Sequence, residues 1–167
     1  SLGSVNLSGT LDQAGTLSVE RCTVQNRSSL VNASGSVGLF RDFPHMNPDP
    51  PVAVEADLTS VSLDDFTTDI PVTGLFSGRM NVSGNASSLT ADMNLKGSGV
   101  GLADVALGEV RLEAMLKDGL LTVARLGLAK GRSSLTASGT AQILEQRRFA
   151  LVPDPGIDLR ITEGSIF

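Results

Sequence analysis

Strict period-two alternation constrains this chain more than any other feature of its sequence. In the stretch 134–143, Leu135, Ala137, Gly139, Ala141 and Ile143 alternate with Ser134, Thr136, Ser138, Thr140 and Gln142. Successive side chains of a strand point to opposite sides of a sheet, so this pattern makes one side apolar and the other polar. The same holds for Val52, Val54, Ala56 and Leu58, for Val110, Leu112, Ala114 and Leu116, and for Ile157, Leu159 and Ile161. Helical spacing is nearly absent. Only 141–149 fits a short helix, and a strand is the preferred reading there as well. The expected fold is all-β: amphipathic strands in one long antiparallel or mixed sheet, solvated on one face.

The sequence also repeats itself. A phrase of the form apolar–Asn–apolar–Ser–Gly starts at Val5, Val31 and Met80, with close variants at Met93 and Leu135. The gaps between successive starts are 26, 49, 13 and 42 residues. They lie near multiples of ~13, which suits a strand of about ten residues plus a turn. The closing glycine is expected at a strand exit or a bulge. A longer repeat appears on shifting by 104 residues: Gly15, Leu17, Val19, Arg21, Ser29, Ala33, Ser34 and Gly35 fall on Gly119, Leu121, Val123, Arg125, Ser133, Ala137, Ser138 and Gly139. Both copies change parity at the same place. Leu17 and Val19 give way to Cys22 and Val24, and Leu121 and Val123 to Leu126 and Leu128. A one-residue slip turns side chains to the wrong face unless the backbone absorbs it. The sequence therefore predicts a turn or bulge at Glu20-Arg21 and another at Ala124-Arg125.

Two segments interrupt the pattern. Pro44, Pro48, Pro50 and Pro51 bar 41–51 from a central strand, and it is expected to be a loop. Pro153 and Pro155 mark a weaker break at 152–156. The whole of 1–167 is otherwise expected to be a single repetitive unit. It starts at Ser1 in strand-like sequence, as a segment of a larger protein would.

Composition narrows the function. The net charge is −5, from 13 basic and 18 acidic side chains, and the basic ones are scattered. Without a basic stripe to collect phosphates, no nucleic-acid partner is expected. No apolar run approaches the ~20 residues of a membrane helix. The one cysteine, Cys22, forbids an internal disulfide, and its neighbours Val19 and Val24 mark it as a small buried hydrophobe.

Reactive groups are sparse. His45, the sole histidine, sits in the Pro-rich segment without metal-binding companions. No serine occupies a Gly-x-Ser-x-Gly elbow. Asp57, Asp64, Asp65 and Asp69 gather loosely but lack the Gly and the terminal Glu of a calcium loop. Asn-x-Ser sequons start at Asn6, Asn26, Asn32, Asn81 and Asn85, and the repeat phrase accounts for three of them without any sugar. The chain is expected to be non-catalytic, with no metal and no cofactor.

What remains is the apolar face. It is made of short aliphatics: the chain has no Trp, no Tyr and only six Phe. No amphipathic helix is at hand to cover it. A long one-faced sheet that curls along its length makes a dry trough suited to acyl chains, each buried CH₂ being worth ~0.8 kcal/mol. A face packed against itself, as in a structural β-solenoid or adhesin-type passenger domain with a closed core, is the alternative.

The run from Pro71 to Asp92, with Gly78-Arg79-Met80-Asn81-Val82-Ser83-Gly84 at its centre, resembles the repeat phrasing of TamB-like proteins of the AsmA superfamily. So does Asp118-Gly119-Leu120-Leu121-Thr122-Val123, followed by Ser133-Ser134-Leu135-Thr136-Ala137-Ser138-Gly139. The resemblance covers most of 1–143, and autotransporter repeats share part of the vocabulary. It implies a β-taco, a repeating β-groove with an apolar interior, in a periplasmic protein anchored in the inner membrane of a diderm bacterium. It implies phospholipid or another acyl-chain lipid as cargo in outer-membrane biogenesis, and an Omp85-class outer-membrane partner reached through the parent chain. No catalytic residue carries over. The expected groove lining is Val52, Val54, Leu58, Val82, Val110, Leu112, Leu121, Val123, Leu135, Ala137 and Ile143.

Overall fold

The structure is a computed structural model and describes residues 3–42, 44–62, 72–85, 88–103, 105–143 and 157–165. Its elements are β1 (Ser4–Leu11), β2 (Thr16–Asn26), β3 (Ser29–Gly38), β4 (Phe40–Asp42), β5 (His45–Met46), β6 (Val52–Ser62), β7 (Val72–Asn85), β8 (Ser88–Leu102), β9 (Val105–Lys117), β10 (Leu120–Lys130), β11 (Ser133–Gln142) and β12 (Ile157–Ser165). Ten of them form one sheet in the order β1-β2-β3-β6-β7-β8-β9-β10-β11-β12. Every neighbouring pair is antiparallel. The sheet is thus a meander in which each strand lies beside the preceding and following strands of the same sheet, β4 and β5 being set apart between β3 and β6. The mixed option in the sequence reading is set aside.

Turns close where the residues allow it. At Asp118-Gly119 both φ angles are positive, 51° and 82°, as a two-residue hairpin with the strands' own twist requires. The β1–β2 turn is held by Asp12, whose carboxylate accepts the Thr16 amide at 2.8 Å while its carbonyl accepts the Gly15 amide at 3.1 Å.

Both bulges read from the parity changes are present. In β2 the register steps from Val19 to Cys22 against Gly35 and Ala33, and in β10 from Val123 to Leu126 against Gly139 and Ala137. Each extra residue keeps the apolar series on one face. Other register shifts went unread, in β8 between Gly97 and Val100, in β12 between Ile161 and Glu163, and in β6 between Leu58 and Val61. Ser60 in β6 takes φ 50°, and its amide donates to Ser77 Oγ at 2.9 Å. Glycine sits across from the steps in β2, β6 and β10: Gly35, Gly78 and Gly139. It was expected at bulges, and in these interior strands it occupies the partner strand, where the backbones crowd. A Cβ on Gly35 would run into the carbonyl of Ala53.

The Pro-rich segment is more than a loop. β4 and β5 pair as a two-stranded ribbon outside the main sheet. The ribbon is seated on the β1–β2 turn, where the amides of Leu39 and Phe40 donate to the Gly15 carbonyl at 2.9 and 3.2 Å. It is not a seam between sheet halves, because β3 and β6 pair directly from Val37↔Val52 to Leu30↔Thr59. The expected strand at 141–149 is seen up to Gln142, Ile143 lies just past its end, and 144–149, like the break at 152–156, lies outside the described residues.

One expectation needs correction. The sheet is neither curled nor closed: β1 and β12 are its two edges, and extensive contacts join only sheet neighbours. No enclosed apolar interior is formed among the described residues. The physical reason is that alternation fixes which face a side chain takes and leaves curvature free. The buried apolar residues are accordingly small ones shaded by larger neighbours. They are Ala56, Val61, Ala91, Val100, Ala114 and Ala137. Ala137, for example, is flanked in register by Leu126 and Ile161 and is 1% exposed.

Candidate functional site

Following partners from strand to strand resolves the apolar face into rows. One runs Gly9–Val19–Gly35–Val54–Val82–Ala91–Leu116–Leu121–Ala141–Ile157, through all ten strands. The next runs Leu7–Cys22–Ala33–Ala56–Met80–Met93–Ala114–Val123–Gly139–Leu159, and the third Val5–Val24–Val31–Leu58–Gly78–Leu95–Leu112–Leu126–Ala137–Ile161. No polar residue beyond the Cys22 thiol interrupts them. Nine strand spacings of ~4.8 Å make each row about 43 Å long.

The register places all the residues singled out from sequence on this face. Val52, Val54, Leu58, Val82, Val110, Leu112, Leu121, Val123 and Leu135 are half-buried, and Ala137 is buried. Ile143, also half-buried, continues the parity of β11 just beyond its end, its amide donating to the Gly119 carbonyl at 2.9 Å. Leu7, Cys22, Val24, Val31, Met80 and Leu95 belong to the same face and were left out of that set. Their signal was the same alternation, once each bulge is counted as one extra residue. Cys22 is a free thiol and half-buried, less enclosed than its neighbours suggested.

The opposite face is polar and carries a register row of its own, Asn6–Thr23–Asn32–Asp57–Arg79–Asn94–Glu113–Arg125. Arg79 Nε donates to Asp57 at 2.9 Å, and this hydrogen bond, helped by the attraction of the two charges, raises the guanidinium above its ordinary pKa. Thr23 Oγ1 donates to Asn32 at 2.9 Å. Two shallow depressions open here. One of about 360 Å³ is lined in part by Asn81, Asp92, Asn94 and Glu113, and one of about 740 Å³ by Asp57, Ser77, Arg79 and Lys96. They hold no concentrated charge of one sign. Among the described residues no three His, Cys, Asp or Glu side chains gather as metal ligands, and no helix is long and apolar enough to cross a membrane. Of the four aspartates noted in sequence, Asp57 is engaged by Arg79, and Asp64, Asp65 and Asp69 lie outside the described residues. His45 is exposed on β5.

Chemically, then, the described surface offers one wide apolar face for non-directional contact. Comparison with protein-family models, with curated proteins and with solved structures finds no match. The resemblance to TamB-like proteins rests on the repeat phrasing alone.

Proposed function

We propose that this chain is a lipid-holding segment of a longer periplasmic protein of the TamB-like type, serving phospholipid traffic in outer-membrane biogenesis. Acyl chains lie on the apolar rows, and the β-taco trough is completed as the sheet bends around them. No residue reacts. The parent chain supplies the inner-membrane anchor and the contact with an Omp85-class partner. One observation carries the reading: three unbroken apolar rows cross ten strands, and no second layer lies on them among the described residues. An exposed apolar area this continuous is rare on a monomer and marks a binding surface. Short aliphatic side chains hold an acyl chain by area alone, so the grip is summed from many weak contacts and is easily released. A solenoid with a closed core is less well supported, because coiled rungs stack in parallel and this sheet is an antiparallel meander.

Mass spectrometry of the purified chain should find diacyl lipid. The double variant Leu121→Asp, Leu135→Arg should retain at least about a hundredfold less, since even one charge against acyl chains costs roughly 3 kcal/mol. The same charges placed on the other face, at Thr122 and Thr136, should change nothing. Lipid absent from the natural chain, or lost equally from both double variants, sinks the proposal.

A further inference from the structure

Only one of the three apolar rows contains sulfur. Cys22, Met80 and Met93 all lie in the row that begins at Leu7, and every other residue of the three rows is aliphatic or glycine. Cys22 stands three strand spacings from Met80, about 14 Å away. Met80 and Met93, in contrast, are register partners across β7 and β8. Each is the middle member of its strand's apolar series, between Gly84 and Phe76 in β7 and between Leu89 and Gly97 in β8. Four strands of the sheet lie on either side of the pair. Next to it in the row come Ala56 and Ala114, which are buried and too short to enclose a methionine. Both methionines are half-buried, so each stays partly open to solvent. The other two lie off this face: Met46 on the ribbon, 71% exposed, and Met115 between Asp92 and Thr122 on the polar side, 40% exposed.

We propose, resting on the lipid-holding role, that the Met80–Met93 pair is a methionine-oxidation site and that a hydroperoxide acting there releases the lipid. A thioether lone pair attacks one peroxide oxygen. An S–O bond forms, the O–O bond breaks, and the proton of the transferred hydroxyl passes to the departing hydroxide, which leaves as water. Sulfur is oxidised by two electrons and the peroxide is reduced by two. The product is a sulfoxide, so a flexible apolar side chain becomes a polar hydrogen-bond acceptor. Its neighbours along the row and along both strands are aliphatic or glycine and bring no side-chain donor. An acyl chain laid across it has no donor either, and the S=O group must give up water without a partner. The hydrocarbon side chains around it are inert to the same reagent. Oxidation therefore changes the face at one place, under the middle of whatever lies on it, and leaves the backbone ladder untouched.

The test treats the lipid-loaded 167-residue chain with hydrogen peroxide. Peptide mass spectrometry reads sulfoxide at each methionine, and extraction reads the lipid kept. As Met80 and Met93 convert, retained lipid should fall at least about tenfold, while the strand signal in circular dichroism stays constant. Each variant is compared with its own untreated sample. Met80→Leu, Met93→Leu should keep its lipid through the treatment, and Met46→Leu, Met115→Leu should lose it as the natural chain does. Met80 and Met93 left unoxidised while Met46 and Met115 convert, or lipid kept after full conversion, overturns the inference and leaves the lipid-holding role standing. Equal loss from the Met80→Leu, Met93→Leu variant overturns it too, by placing the sensitivity elsewhere, at the Cys22 thiol for example. So does a strand signal that disappears with the lipid, since the sheet has then unfolded. A natural chain with no lipid before peroxide is added sinks the lipid-holding role itself, and this inference with it.

Discussion

The hairpins β2–β3 and β10–β11 are the same object built twice, and they differ in what surrounds them. Both carry a bulge opposite a glycine, and both accept a main-chain hydrogen bond at the glycine that opens them: Leu39 to Gly15 and Ile143 to Gly119, each 2.9 Å. At the turn, Arg27 in one and Gly131 in the other take positive φ, 50° and 61°. Yet Ala137 is buried and its counterpart Ala33 only half so. The neighbours decide this: Leu126 and Ile161 flank Ala137, whereas Cys22 and Ala56 flank Ala33. In a single layer, depth comes from the bulk of adjacent residues in the row, and backbone geometry alone does not supply it.

That comparison can be broken most severely just past the bulges. Deleting Gly127 leaves Leu126 and Leu128 adjacent, so one part of β10, which lies between β9 and β11, must face the wrong side, and cooperative unfolding followed by circular dichroism should be abolished. Deleting Thr23 does the same to β2, with only β1 beyond it, and should leave exchange protection intact from β6 onward. Equal damage from the two deletions would show that the copies are not insulated from each other. Next in size, Gly35→Ala should cost about 3 kcal/mol in denaturant titrations, because its new Cβ meets the Ala53 backbone and not a side chain that can move. Ala137→Leu should cost about 2 kcal/mol and Ala33→Leu less than about 0.5, a gap that tests the role of neighbouring bulk directly. Gly131→Ala has open space around it but a left-handed backbone, and should cost about 1 kcal/mol. Smallest of all, Asp57→Asn removes an ion pair whose side chains are 64% and 58% exposed, and should leave the melting temperature within error.

Much of this was legible because period two is a local code. The facing of Val52, Leu121 or Leu135 follows from its parity, and the step from Val19 to Cys22 announces a bulge since nothing else keeps both on one side. The Leu58 to Val61 step carries the same message. It passed unnoticed because Thr59 and Ser60 there read as ordinary polar strand residues. The ribbon at Phe40–Asp42 and His45–Met46 is too short for alternation to register. The openness of the sheet was beyond reach for a different reason. Whether its two edges approach depends on twist summed over ten strands, and no single residue encodes that sum.

Because each strand of the main sheet lies against the strands of that sheet before and after it, most contacts close a loop of only one hairpin, the β3–β6 and β11–β12 pairs closing longer ones. Sheets usually fold slowly because distant segments must meet, and here none has to. Ordering can begin at any hairpin and spread outward as a zipper does. The same locality sets a rule for growth. Inserting two strands restores both direction and facing, so duplicating a hairpin lengthens the molecule by about 10 Å without disturbing what lies on either side. Reach is then a quantity that can be adjusted in steps, one copied hairpin at a time.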